Sequence, residues 1–270
     1  MSSIATKSVA TPVNFPPKGD ALIVVTEPED FLFVLTMTGA ETSDNRLTHA
    51  HLEAWLQALD YIEQRWDNIP ENKKKEGAAM VTTASTDPKQ KIWSNGLDFA
   101  KAIADPHFFD THLFRVYERL LSFPIPSVAS VGGHAFAGGF GLAACHDYRV
   151  MHGNKGFLCM NEIHFGAQLP PGLYAALTTK IASPAVARSM VLEGHRFPAT
   201  QAKAAGFVDL LAPDVGKEGG PAETLEAAVK LASKLRPLCA RDAWGSNKLV
   251  LYSYQLAVLR EKNTDATSKL

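Results

Sequence analysis

Cysteine is scarce in this chain of 270 residues: Cys145, Cys159 and Cys239 stand far apart, with no CxxC or Cys/His spacing. That excludes a disulfide framework and a zinc finger or ribbon, so three reduced thiols and no metal are expected. Excess charge of one sign is also lacking, since 27 Lys and Arg against 28 Asp and Glu leave a formal net charge of −1. No global basic field is available to hold nucleic acid or an anionic membrane, and neither is expected as a partner. No apolar run approaches the roughly 18 residues that span a bilayer. No signal-peptide core, solenoid repeat or low-complexity tract is present. A hydrophobic fraction of 46% with 20% charged residues excludes a disordered chain. The length suffices for one substantial core.

The hydrophobic pattern is more informative. The first 20 residues, rich in Ser, Thr, Lys and Pro, predict a loose arm. Two β-prone runs at 21–25 and 31–37 flank Glu27-Pro28-Glu29-Asp30, which predicts a hairpin or two adjacent strands. Over 46–66, Leu52, Trp55, Leu56, Leu59, Ile62 and Trp66 fall at spacings of three and four, which makes one apolar stripe of a core helix. The charged run 72–76 reads as a solvated loop. Further strands are expected at 77–83, 91–96, 127–132, 147–151 and 156–160. Helices are expected at 112–123, where Pro124 stops one, and at 138–146. After Pro170-Pro171 helices are expected to dominate, at 173–181, 184–192, 200–205, 224–235 and 243–262, with 217–221 as a linker. The fold class is therefore α/β with a helical C-terminal part.

Two turns and one acid carry the chemistry. The small-residue run from Gly132 to Ala144 follows a strand and opens a helix. Its glycines permit close backbone approach, and the first turn of a helix has free N–H groups. It is neither a Walker loop nor GxGxxG. A second turn, Ser94-Asn95-Gly96-Leu97-Asp98, also joins a strand to a helix, which Asp98 is placed to cap. The N–H groups of Leu97 and Gly138 would make a two-donor oxyanion hole if the folded chain brings them together. Glu162 stands among Phe157, Met160, Ile163 and Phe165. Burial there would raise its pKa toward neutrality, as a general base requires.

Taken in order, Ser-Asn-Gly-Leu-Asp (94–98), Gly-His-Ala-Phe-Ala-Gly-Gly (133–139), Cys-His-Asp-Tyr-Arg-Val-Met (145–151) and Met-Asn-Glu-Ile-His-Phe-Gly (160–166) resemble the crotonase superfamily. Within it they are most like the Δ3,Δ2-enoyl-CoA isomerases. The likeness runs from about residue 21 to 212 and includes the stretch 196–206; the C-terminal helices match only in character.

The resemblance implies a spiral of ββα units over 21–200. It implies C-terminal helices over 201–265 that build homotrimers or hexamers. It also implies an acyl-CoA substrate and no separate cofactor, since the coenzyme A thioester is itself the substrate. It puts Leu97 and Gly138 in the oxyanion hole, lays Ser94, Asn95, Gly96, Leu97 and Asp98 along the bound acyl-CoA, and makes Glu162 the acid/base. The family's hydratases carry a second glutamate three residues after the second oxyanion donor, where this chain has Gly141. Double-bond migration needs only one base, so a single Glu162 fits an isomerase. A hydratase or hydrolase on a specialised acyl-CoA would need a second acid from elsewhere, and a non-catalytic acyl-CoA-binding protein would have no use for Glu162. Packing or surface roles are expected for His134, His146 and His164, and a structural role for Asp147. Lys73, Lys74, Lys75, Lys91 and Lys101 are not assigned to coenzyme A. The chain ends in Ser268-Lys269-Leu270 on a polar tail, 266–270. In a eukaryote this is an address for the peroxisomal import receptor.

Overall fold

The computed structural model describes residues 10–181 and 183–261. In chain order the strands are β1 (Val13–Phe15), β2 (Ile23–Glu29), β3 (Leu32–Met37), β4 (Ala79–Thr83), β5 (Ile92–Ser94), β6 (Ser127–Val131), β7 (His134–Phe136), β8 (Tyr148–Met151), β9 (Phe157–Cys159), β10 (Phe197–Pro198) and β11 (Leu210–Leu211). The helices are α1 (His49–Asp67), α2 (Glu71–Lys74), α3 (Phe99–Ala104), α4 (Phe114–Leu121), α5 (Gly138–Ala144), α6 (Pro171–Thr178), α7 (Pro184–Leu192), α8 (Ala199–Ala204), α9 (Pro221–Leu235), α10 (Ala243–Leu251) and α11 (Ser253–Arg260).

Two sheets organise the chain. The larger has the order β1-β2-β3-β4-β6-β8-β11, and the smaller β10-β9-β7-β5. Successive segments visit one and then the other. β4 lies in the large sheet and β5 in the small one, then α3 follows. β6, β7 and α5 repeat the pattern, and so do β8 and β9. Each repeat is one ββα turn of a spiral, and pairing between repeats is parallel in both sheets. The crotonase-like architecture is therefore present in the topology itself. The stripe on α1 is buried as its spacing requires, with Trp55 and Trp66 in the core. On the other face of the large sheet, Ala228, Ala232 and Leu235 of α9 pack on Leu32, Val34, Val81, Val128 and Val150.

Several expectations need correction. The arm 1–20 is not wholly loose, because Val13–Phe15 pairs with Ile23–Val25 and closes the sheet edge. Glu27-Pro28-Glu29 is strand rather than turn. The register shifts between Thr26 and Glu29, a bulge that accommodates the proline. The chain reverses one step later at Phe31, with φ 60°. Buried Glu27 holds that reversal: its carboxylate accepts the Phe31 N–H at 2.7 Å and two bonds from Arg65 at 3.1 Å. Residues 71–74 form a helical turn within the expected loop. Strands do not end near residue 165, since β10 and β11 return to the small and large sheets. The tail with Ser268, Lys269 and Leu270 lies outside the described residues.

Candidate active site

The first turn leaves β5 at Ser94. The Ser94 hydroxyl is buried, donates to Asn45 O at 2.8 Å and accepts the Gly96 N–H at 3.4 Å. Ser94 therefore shapes the turn. Gly96 has φ +79°, and a Cβ there would stand 2.8 Å from Phe136 O and 3.2 Å from Gly138 N. Only glycine lets the two turns approach so closely. Asn95 is pinned by two bonds to Asp44, one through its N–H and one through its side chain. Asp98 occupies the N-cap of α3 without a side-chain capping bond and instead pairs with Lys101 at 3.1 Å.

The second turn carries backbone strain. Ala137, at the N-cap of α5, has φ 49° and ψ −126°, a region that costs of order 1–3 kcal/mol for a residue with a side chain. Its surroundings over-determine it. Its N–H donates to Cys159 O at 2.8 Å, and its carbonyl accepts the Gly141 N–H at 3.1 Å. The next carbonyl, Gly138 O, accepts the Tyr117 hydroxyl at 2.5 Å. Leu97 and Gly138 are in contact, since a Cβ on Gly138 would lie 2.9 Å from Leu97 Cδ2. Neither the Leu97 nor the Gly138 N–H donates to a protein acceptor among the described residues. The fold thus brings together two free donors from segments forty residues apart.

Glu162 faces the same space. It begins a 3₁₀ turn, Glu162–Phe165, instead of ending a strand. The turn separates it from His164, whose Nε2 meets Gly194 O at 3.2 Å, so no His–Glu dyad exists. Glu162 is 9% exposed, and its Oε2 is buried without a partner among the described residues. Burial pushes its carboxyl up to about 7, against a smaller opposing effect of its own backbone N–H. An open cleft of about 670 Å³ is lined by Asn95, Leu97 and Ala137 from the two turns and by Asn161 and Glu162 opposite. Its apolar walls include Phe99, Phe109, Phe165 and Leu173. Phe99 and Phe165 meet edge to face at 5.2 Å. Of Phe157, Met160 and Phe165, the residues whose apolar company would keep Glu162 dry, only Phe165 lines the cleft. Phe157 stacks on His134, and Met160 is in the core. Glu162 is the only acid among the lining residues.

Position 141 is closed. A Cβ on Gly141 would fall 2.4 Å from Leu173 Cδ1 and 2.5 Å from the Tyr117 hydroxyl. Burial holds the Tyr117 phenol well above its ordinary pKa, with Cys145 and Glu162 adding to the effect, so it remains a donor.

His146, Asp147, Lys73 and Lys74 have structural partners. His146 is buried between Leu142 O and Thr82 Oγ1, and burial pushes it down to about 3, so it stays neutral. Asp147 accepts from Ser127 and from Trp244 and forms a buried ion pair with Lys248 at 2.9 Å. Lys73 and Lys74 pair with Asp30 and Asp242. Sequence reasoning missed Tyr117, hidden in an apolar helical stripe. It also missed Asn161, whose Oδ1 is buried and without a partner among the described residues. Adjacency to Glu162 was the one available signal for it.

Comparison with known proteins agrees with this geometry. The family described as enoyl-CoA hydratase/isomerase matches residues 34–240. The chain is 32% identical over 212 residues to the peroxisomal enoyl-CoA delta isomerase 1 of Arabidopsis thaliana, covering 77% of this chain and 80% of that one. It is 31% identical over 249 residues to the peroxisomal enoyl-CoA delta isomerase 2 of the same plant, covering 88% and 96%. Among solved structures, an enoyl-CoA hydratase from Mycobacterium marinum superposes with a TM-score of 0.74 at 24% identity, covering 92% of this chain and 98% of that one. An enoyl-CoA hydratase/isomerase family protein from Pseudomonas syringae gives 0.76 at 21% identity, with the same coverage. These likenesses show the fold, and the sequence match carries the conclusion: the chain belongs to the enoyl-CoA hydratase/isomerase family.

Proposed function

We propose that this protein is a Δ3,Δ2-enoyl-CoA isomerase, which converts a 3-enoyl-CoA to the 2-trans-enoyl-CoA. One observation carries the reading: Glu162, buried and with its Oε2 unpartnered among the described residues, lines the same cleft as Leu97 and Ala137 of the two turns, while the space beside position 141 is filled by Tyr117 and Leu173.

The thioester carbonyl accepts the N–H groups of Leu97 and Gly138, and the acyl chain extends along Phe99, Phe109 and Leu173. Ionised Glu162 removes a proton from C2. The C–H electrons move into a dienolate whose negative charge rests largely on the thioester oxygen, where each donor stabilises it by about 3 kcal/mol. Protonated Glu162 then returns the proton to C4, and the double bond settles between C2 and C3. No atom is gained or lost, so no cofactor is needed. A carboxyl poised near neutrality suits both halves of the transfer. Hydration would require a second proton-handling group, and the cleft lining offers no second acid.

Peroxisomal β-oxidation of fatty acids is supported by the Ser268-Lys269-Leu270 terminus, read by the import receptor, and by relatives named peroxisomal. Homotrimeric or hexameric assembly is supported by an apolar surface on α10 and α11, where Leu249, Val250, Leu251 and Tyr254 are exposed.

The test is a spectrophotometric assay of purified protein with a trans-3-enoyl-CoA, following the absorbance of the conjugated thioester. Rapid growth is expected. No growth beside an active control isomerase overturns the reading and favours a specialised acyl-CoA substrate or a non-catalytic binder.

A further inference from the structure

We propose that His49, Asp105 and His112 form a binding site for a divalent transition metal of the zinc class, beside the acyl cleft but separate from its chemistry. The three residues come from the first turn of α1, the turn after α3 and a π-helical turn at Phe109–Leu113. No sequence spacing announces them. In the folded chain, one ligand atom from each lies within 4.8 Å of the other two.

Two imidazoles and a carboxylate suit zinc and its neighbours, whereas magnesium and calcium prefer oxygen donors. Tetrahedral coordination at about 2.0–2.1 Å from each ligand atom would place these atoms about 3.3 Å apart. His49 Nε2 and Asp105 Oδ2 are already at 2.9 Å, so the closure required is mainly a small movement of one ring. The rings are held for it. His49 and His112 meet at 4.8 Å between centroids, and Phe108 packs against both. The other oxygen of Asp105 accepts the His107 N–H at 2.9 Å, an outer contact of the kind that orients metal-binding carboxylates.

A further observation favours a ligand. His112 Nδ1 is buried and has no hydrogen-bond partner among the described residues, although the ring meets His49 and Phe108. A simple His49–Asp105 ion pair leaves that ring unexplained. π-helical turns, such as the one carrying His112, recur at functional sites. Glu53, one turn along α1 from His49, acts electrostatically on His112, and Arg115 acts in the opposite sense; water is the candidate fourth ligand. The same π-helical turn carries Phe109, which lines the acyl cleft. A bound metal would clamp that wall to α1.

The test uses the full chain after chelator treatment, titrated with Zn²⁺ and, as a spectroscopic probe, Co²⁺. Saturable binding of one equivalent is expected, with visible d–d bands from Co²⁺ and a raised thermal midpoint with Zn²⁺. His49→Ala and His112→Ala should each weaken binding at least as much as the roughly 10–100-fold seen on loss of an outer-shell partner, and should abolish the bands. Asp105→Asn, which keeps the shape of the turn, should do the same, so the test survives if a histidine variant fails to fold. Circular dichroism reports folding independently of the metal. Absence of saturable binding to the unmodified chain overturns the proposal. So does binding of equal strength in folded Asp105→Asn and His112→Ala, which would assign the metal to scattered surface histidines.

Discussion

The hydroxyl of Tyr117 lies 2.5 Å from the point where a Cβ on Gly141 would stand. The same hydroxyl donates to Gly138 O, in the residue that offers one of the two free N–H groups. A tyrosine from α4 therefore fills the space beside position 141 and braces the turn that opens α5.

Gly141→Glu should not create a hydratase. The new side chain would collide with Leu173 and Tyr117 and would bury a carboxylate in the core. A loss of roughly 3 kcal/mol or more is expected, since overpacking and a buried charge act together. Thermal denaturation and a hydration assay on a 2-enoyl-CoA check this. A stable variant that adds water would show that position 141 is not closed.

Tyr117→Phe removes one buried hydrogen bond and leaves Gly138 O without its donor, so a stability loss of about 1–2 kcal/mol is expected. The oxyanion turn should also loosen. We expect kcat to fall about tenfold, equivalent to roughly 1.4 kcal/mol of transition-state stabilisation, with little change in KM. Steady-state kinetics separates this from simple destabilisation, which would reduce the active fraction and leave kcat per folded molecule intact.

In the proposed mechanism Glu162 is the base and must be ionised, so kcat/KM should rise with pH and level off above a pKa near 7. Glu162→Gln should remove turnover while leaving the fold intact. Stability moves the other way. Unfolded, this carboxyl titrates near 4.5, and folded near 7, so between those values the folded protein binds more protons. Its stability should fall by about 3 kcal/mol as pH rises through that window, and the decline should disappear in Glu162→Gln. Denaturant melts of both proteins at pH 5 and 8 would show the same difference in each if the carboxyl were not buried.

Asn161→Leu should separate stability from activity. Its Oδ1 is buried at the cleft wall and unpartnered among the described residues, so replacing the amide by a similar apolar shape should leave stability unchanged or slightly raised. If the amide serves the reacting acyl group or a water beside Glu162, kcat/KM should fall at least tenfold. Full activity in a folded variant would reduce Asn161 to a packing residue.

Lys248 and Asp147 form an ion pair with both side chains under a tenth exposed. Lys248→Met leaves Asp147 without its cation, although the Ser127 N–H and hydroxyl still reach it. A loss of about 3 kcal/mol is expected. The double variant with Asp147→Asn should recover part of it, and urea titrations of the two variants test that recovery.

Much of this was legible in the sequence because it depends on local spacing. The stripe from Leu52 to Trp66 could be buried only as a helix, and β4, β6 and β8 are short apolar runs between turn residues. Gly96 and Gly138 announced close backbone approach, and an acid among Phe157, Met160, Ile163 and Phe165 announced a shifted pKa. Elements whose burial depends on distant partners were not legible. Glu27 looks like a loop acid until Arg65 reaches it, and β1, β10 and β11 are too short to show a period without the strands they pair with. The sequence by itself determined the alternation of strands and helices, the absence of a second acid at position 141 and the presence of Glu162. Only the tertiary structure decided that Leu97 and Gly138 adjoin, that Tyr117 fills the space beside Gly141, and that His49, Asp105 and His112 meet. The physical reason is that spacing encodes which side of an element is buried, whereas contact between elements is set by how the sheets and helices pack.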